Sequence, residues 1–257
     1  MPRMSIVVPA YNEGPRVYSS LVRLDTVLRA AEVDAEVLVV DDGSSDSTRI
    51  EAQRAARGMV SARVLGYSKN RGMGYAVKVG VESSRGEWIA IVSADQDEDP
   101  SCVLRFLERV GRHDADVVLG SKWHPDSEVE YPLHRRMLSY AYRSLVHVLL
   151  GVPFKDTQGP MLFEGELGRR LFSKVATENF AFSVEFLARA YREGARIVEV
   201  PIVVQHRKKK SRRVLRSMVT MLTGTVRAAH RLRSERRRAP ESISPSRDSA
   251  ARISGRR

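Results

Sequence analysis

The stretch Ser5-Ile6-Val7-Val8-Pro9-Ala10-Tyr11-Asn12-Glu13 and its later counterpart Val37-Leu38-Val39-Val40-Asp41-Asp42-Gly43-Ser44-Ser45-Asp46 decide the fold of this chain. Each is a short β-rich apolar run that gives way to a polar cluster and then to an amphipathic segment. That alternation is the signature of a mostly parallel sheet covered by helices. Working outward, the same pattern predicts strands over 5–9, 36–41, 62–66, 88–93 and 117–120, with a later one over 197–203. Helices are predicted over 14–31, 46–57, 72–84, 100–113, 134–150 and 183–193. Ser45 or Asp46 can cap the second helix, and Pro100 suits the first turn of the fourth.

In an open α/β sheet, ligands bind beyond the carboxyl ends of the strands. The polar clusters fall there: 9–13 after the first strand, 41–44 after the second, Ala94-Asp95-Gln96-Asp97 after the fourth and Gly120-Ser121-Lys122 after the fifth. Asp95 and Asp97, one residue apart, offer hard oxygens to Mg²⁺ or Mn²⁺ while leaving the ion open positions for phosphate. Read alone, they are equally an acidic turn capping the Pro100 helix. Asp41 and Asp42 can accept hydrogen bonds from a base or ribose, or simply make a turn in which Gly43 relieves the backbone. Tyr11 can wall a nucleotide base or be an ordinary loop aromatic.

Composition narrows the classes. The 257 residues are 42% hydrophobic and 29% charged, ordinary for a globular enzyme. No apolar run approaches the roughly 20 residues of a spanning helix. The N-terminus reads as a strand and not as a signal sequence, so a cytosolic chain is expected. The single cysteine, Cys102, excludes an internal disulfide and a thiolate metal cluster. Residues 207–257 hold 17 Lys/Arg against Glu235, Glu241 and Asp248, a net +14 that leaves the first 206 residues at −2 of the overall +12. Such a tail is solubilising or seeks a phosphate-rich partner, anionic membrane or nucleic acid. From Arg212 to Arg233, Leu215, Met218, Val219, Leu222, Val226 and Ala229 form an apolar stripe flanked by Arg212, Arg213, Arg216, Arg227 and Arg231, the make-up of a helix lying in a membrane interface. The 134–150 helix has a similar apolar face. The expected division is a catalytic domain over 1–210, a basic interfacial helix over 211–233 and a disordered basic tail over 234–257. Nucleic acid is not expected, because the tail lacks interleaved aromatics and a binding motif.

Taken together, the motifs resemble the family 2 glycosyltransferases: S-I-V-V-P-A-Y-N-E, V-L-V-V-D-D-G-S-S-D-S-T, N-R-G-M-G-Y-A at 70–76, A-D-Q-D, G-S-K, D-T-Q-G-P at 156–160, F-A-F-S-V-E-F-L at 180–187 and I-V-E-V-P-I at 197–202. The resemblance runs over roughly 4–215 and is strongest to the branch making polyprenyl- or dolichyl-phosphate sugars. It implies the nucleotide-diphospho-sugar transferase (GT-A) fold. It implies a hexose moved with inversion from a GDP- or UDP-linked donor to a polyprenyl phosphate, on the cytoplasmic face of a membrane. Pro9, Tyr11, Glu13, Asp41, Asp42, Ala94, Asp95 and Lys122 then surround the nucleotide sugar. Asp95 and Asp97 hold Mg²⁺ or Mn²⁺, and Arg135, Arg136 and Arg207 contact donor or acceptor phosphate. Asp95 and Asp156 are the catalytic candidates. A phosphate acceptor is already anionic and needs little base, whereas a saccharide hydroxyl acceptor needs one, and Asp156 is the candidate. Asp156 can equally cap a loop. Three departures stand out: Ser93 replaces the first acid of D-A-D, Met73 replaces a lysine, and Gly159-Pro160 follow D-T-Q in place of C-G-F. Lys122 stands for the usual Arg of G-S-R, a point charge in place of a fork. A non-catalytic basic protein binding membrane or nucleic acid is the remaining alternative.

Overall fold

Strand β1 (Met4–Ala10) and strand β2 (Ala35–Asp42) lie in parallel register, with Val8 opposite Val39 and Ala10 opposite Asp41. The computed structural model describes residues 3–94, 99–112, 114–129, 133–204 and 211–238, with the side chains of 133–136, 211–217 and 238 outside that description. Strands β3 (Ala62–Tyr67), β4 (Trp88–Ile91), β5 (Val117–Ser121), β7 (Met161–Glu164) and β8 (Ile197–Pro201) complete a seven-stranded sheet in the order β3-β2-β1-β4-β7-β5-β8. Only β7 runs against its neighbours. Short strands β6 (Glu128–Val129) and β9 (Val203–Val204) pair separately.

Both sheet faces are covered, which explains why the strands read as continuous apolar runs. Ile6, Val8, Val37 and Val39 face helices α1 (Gly14–Ala30), α2 (Thr48–Ala56) and α4 (Cys102–Gly111). Val7, Leu38, Val40, Ile89 and Ile91 face α3 (Met73–Ser83), α5 (Leu133–Leu150), α6 (Gly165–Phe172) and α7 (Phe182–Arg192). The mostly parallel, helix-flanked α/β sheet matches expectation. The strand expected over 197–203 is instead divided between β8 and β9 at Ile202, whose N–H donates to Ser127 Oγ. Helix α2 starts at Thr48, because Asp46 turns back to accept from Thr48 N at 2.9 Å and from Gly14 N at 3.1 Å.

The last helix, α8 (Ser211–Arg238), continues past the boundary expected at 233. It packs on α5 and α7. The apolar stripe read from sequence is therefore split: Ala229 is buried with Thr225, Ala228 and Leu232, while Val219, Leu222 and Val226 remain exposed. Arg231, read as a flanking cation, instead reaches Glu185 of α7 at 2.7 Å, and Arg189 joins the same carboxylate at 3.0 Å. Burial, the largest influence, pushes Glu185 up, but hydrogen bonds from Arg231, Thr177 and Arg189 outweigh it and hold the group below its ordinary value of 4.5. A lowered folded value means the stability contributed is complete above pH 4.5 and is lost as pH falls through the lower folded value. The difference in thermal midpoint between the native chain and Glu185→Gln is therefore expected to be constant near neutrality and to shrink below about pH 4. A difference that grows on acidification contradicts this assignment.

Candidate active site

The carboxyl ends of β1 and β2 are laced together by their loops. Asn12, at φ 53°, donates its N–H to Ser44 Oγ at 3.0 Å, and its Oδ1 accepts from Ser45 N at 2.9 Å. Glu13 N donates to Thr48 Oγ1 at 2.8 Å. Glu13 also caps α1, and its carboxylate pairs with Arg16 at 3.1 Å. Tyr11, directly after β1 and beside this lacing, is 45% exposed. Pro9 is buried within β1 beside Val40, so it shapes the strand and does not line an open surface.

The two adjacent acids have different surroundings. Asp42 accepts from Tyr67 OH, Asn70 Nδ2 and Arg71 N at 2.8 Å each, and from Gly72 N at 2.9 Å. Its carboxylate is thus the anchor of the 67–72 loop. Burial and the Asp42 charge push the Tyr67 phenol well above its ordinary value, so it stays a donor. Gly43, at φ 65°, lies so close to that loop that a Cβ would fall 2.6 Å from Asn70 N. Asp41, also buried, accepts one hydrogen bond among the described residues, from Ser44 N at 3.1 Å. Of the pair, Asp41 is the one with acceptor capacity left for a ligand.

Ala94 is buried after β4, and its carbonyl accepts from Ser20 Oγ at 2.8 Å. Asp99 Oδ1 accepts from Ser101 N at 3.0 Å. Asp95 and Asp97 themselves lie outside the described residues, as does Arg207. Among the described residues no group of three or more acidic, His or Cys side chains is arranged to hold a metal ion. Arg135 and Arg136 fall in the first turn of α5, with side chains outside the description.

Two strands across from β4, at the same sheet edge, Lys122 follows β5 and Asp156 precedes β7. The backbones are pressed together: Gly120 N donates to Pro160 O at 2.8 Å, and a Cβ on Gly159 would overlap the Gly120 carbonyl oxygen. That contact explains why glycine stands at 159. Lys122 Nζ meets both Asp156 oxygens at 2.9 Å, with the carboxylate almost fully buried. Beside this pair opens a groove lined by Lys122, Trp123, Ser139, Tyr142, Arg143 and Lys155. Burial, with the Asp156 charge adding to it, pushes the Tyr142 phenol up to about 12, although its bond with Thr225 acts the other way. Tyr142 therefore stays protonated near neutrality. Sequence reasoning missed Trp123, Tyr142, Arg143 and Lys155, whose convergence depends on how α5 crosses the loop before β7. It also missed the role of Glu199, which accepts from Lys155 N and Asp156 N at 3.1 and 2.9 Å.

The family model "Glycosyl transferase family 2" matches residues 5–177. The chain is 33% identical over 217 residues to a dolichyl-phosphate beta-glucosyltransferase of Dictyostelium discoideum, covering 77% of this chain and 65% of that one. It is 35% identical over 205 residues to a human protein of the same name, covering 72% and 62% respectively. The chain spans under two thirds of the length of the curated relatives it matches. Among solved structures, glucosyl-3-phosphoglycerate synthase of Mycobacterium tuberculosis with Mn²⁺, UDP-glucose and phosphoglyceric acid superposes with a TM-score of 0.69. It covers 94% of this chain and 82% of that chain at 19% identity, a likeness of fold alone.

Proposed function

Because the chain belongs to glycosyl transferase family 2, we propose that it moves a hexose from a GDP- or UDP-linked donor to a polyprenyl or dolichyl phosphate, with inversion at the anomeric carbon. The observation that carries this reading is the groove holding Lys122, Arg143 and Lys155 on the same sheet edge as the donor loops. Three cations against one buried carboxylate suit a phosphate monoester, and the relatives named for dolichyl phosphate add support. The nucleotide rests on the Tyr11, Glu13 and Asp41 side, with Asp42 holding the neighbouring loop in shape. Asp95 and Asp97 would hold Mg²⁺ or Mn²⁺, which supplies charge to the leaving diphosphate. The chain's own cations bring the anionic nucleophile to C1, a gain in proximity that a neutral acceptor does not share. A lipid phosphate is already anionic near neutral pH and needs no base.

The direct test supplies each labelled nucleotide sugar with Mn²⁺ and either polyprenyl phosphate or polyprenol. Label is expected on the phosphate and not on the alcohol. Transfer to a saccharide hydroxyl, with no lipid-phosphate product from any donor, overturns the reading.

A lipid acceptor calls for a membrane-facing surface, and the adjoining helices α5 and α8 supply candidates. Val219, Leu222 and Val226 share one exposed face of α8, as Met137, Tyr140 and Val148 do on α5. Among the described residues no helix is long and apolar enough to cross a membrane, so the proposed contact is interfacial, with anionic lipid as partner and on the cytoplasmic side. Replacing Val219, Leu222 and Val226 by Ser is expected to weaken binding to phosphatidylserine vesicles roughly 10- to 100-fold. Deleting residues 239–257, which carry only +2, should change it little and chiefly at low salt. Unchanged vesicle binding in the triple variant counts against this surface. Truncation at 234 is a poorer probe, because Glu235 pairs with Arg189 at 2.8 Å and holds α8 on the domain.

A further inference from the structure

We infer that Asp156 is a positioning residue for Lys122 and not a proton acceptor. The inference rests on the transfer reaction proposed above and assigns a role within its acceptor site. A carboxylate offers about four lone-pair sites. Asp156 Oδ1 accepts from Lys122 Nζ at 2.9 Å, Thr157 N at 2.8 Å and Gln158 N at 3.0 Å. Its Oδ2 accepts from Lys122 N at 3.1 Å and Lys122 Nζ at 2.9 Å. Five contacts use that capacity fully, and the side chain is only 3% exposed. A general base has to come within hydrogen-bond reach of the proton it takes; Asp156 borders the groove, but its acceptor sites are already taken by these contacts.

The same contacts say what the group does. Lysine is a point charge on a flexible four-carbon stem whose many rotamers must be restricted before it can be placed. Here residue 122 is gripped at both ends by one carboxylate, through its backbone N–H and its ammonium, so the stem has a single place to lie. The grip is itself braced. Glu199 accepts the N–H groups of Lys155 and Asp156, Gln158 Nε2 donates to Ser183 Oγ at 3.0 Å, and the Gly120–Gly159 backbone contact closes the gap between β5 and the loop. Lys122, 15% exposed at its side chain, is thereby presented to the groove at a fixed point. Asp156 thus acts on the acceptor phosphate through the lysine.

A double-mutant cycle in the full chain tests this, using Asp156→Asn, Lys122→Met and the combination, with polyprenyl phosphate as varied substrate. Each single variant is expected to lose roughly 10- to 100-fold in kcat/KM, with acceptor KM raised and kcat lowered together. The double variant should stay within about 3-fold of the weaker single one, because both remove the same placed cation. Losses that multiply overturn the inference. So does a loss in Asp156→Asn confined to kcat, accompanied by disappearance of the acidic limb of the pH profile. Melting curves and far-UV circular dichroism report folding. If Asp156→Asn does not fold, the lysine side decides. Lys122→Met at near-native kcat/KM overturns the inference, whereas a loss in Lys122→Met rescued by Lys122→Arg, whose guanidinium takes the same carboxylate, supports it. A native chain with no lipid-phosphate product refutes the proposed acceptor instead, and the cycle and pH profile are then read with the saccharide acceptor that the native chain glycosylates.

Discussion

Asp95→Asn lowers sugar transfer roughly 100-fold or more, the largest loss expected of any single substitution in this chain. The described residues on either side of it are held, Ala94 through its carbonyl by Ser20 and Asp99 through its bond to Ser101 N. An isosteric amide removes a charge while keeping the side chain's size, and the melting midpoint should stay within a degree or two of native. What is lost is a hard anionic ligand where the leaving diphosphate has to be neutralised. Departure from D-A-D at Ser93 leaves fewer acids to compensate. Asp97→Asn should cost less, since Asp95 still supplies an anionic oxygen to the ion. Initial rates with saturating Mn²⁺ decide the matter: transfer by Asp95→Asn near the native rate excludes Asp95 as the central metal residue.

Asp42→Ala is expected to destabilise the fold by about 3 kcal/mol, because Tyr67 OH, Asn70 Nδ2 and the N–H groups of Arg71 and Gly72 lose their shared acceptor. For a domain of this size that lowers the melting midpoint by roughly 6–12 °C. Asp41→Ala, one residue earlier, should move the midpoint far less and weaken donor binding about 10-fold or more, since only Ser44 N depends on it among the described residues. The two variants thus separate loop support from ligand contact. Equal melting shifts, or donor affinity retained in Asp41→Ala, contradict that division.

Most of the architecture was legible from residue order, because β-rich runs ending in polar clusters report strand ends directly. Position was easier to read than role. The sequence placed Asp41 and Asp42 together, but only the 67–72 loop folded against Asp42 distinguishes them. Asp156 was open between base and loop cap, and its bonds to Lys122, Thr157 and Gln158 favour the second. Strand β7 and helix α6 went unread for local reasons. Met161–Glu164 is four residues long and buried through its first three, so it shows no alternation. Gly165 and Gly168 look like helix breakers, yet Gly168 lies against the Phe163 ring, where a Cβ would have no room. The stripe on α8 was identified correctly as amphipathic, but spacing alone does not say which apolar side chains meet protein. Gly224, with a Cβ position crowded by Asn179 and Ala181, marks the side that turns inward.

The reversed strand also sets an order of events during synthesis. β4 pairs with β1 as soon as Trp88–Ile91 emerge, but its other edge is reserved for Met161–Glu164, about 70 residues later. At ribosomal speeds of roughly 5–20 residues per second, that edge stays bare for about 4–14 s. An unpaired row of N–H and C=O groups beside a β-rich apolar surface is a template for foreign strands. A nascent chain halted before Met161 therefore carries the loops after β1 and β2 nearly complete beside an unpaired edge of β4. Insertion of β7 between β4 and β5 ends that exposure in the same step that brings Asp156 to Lys122.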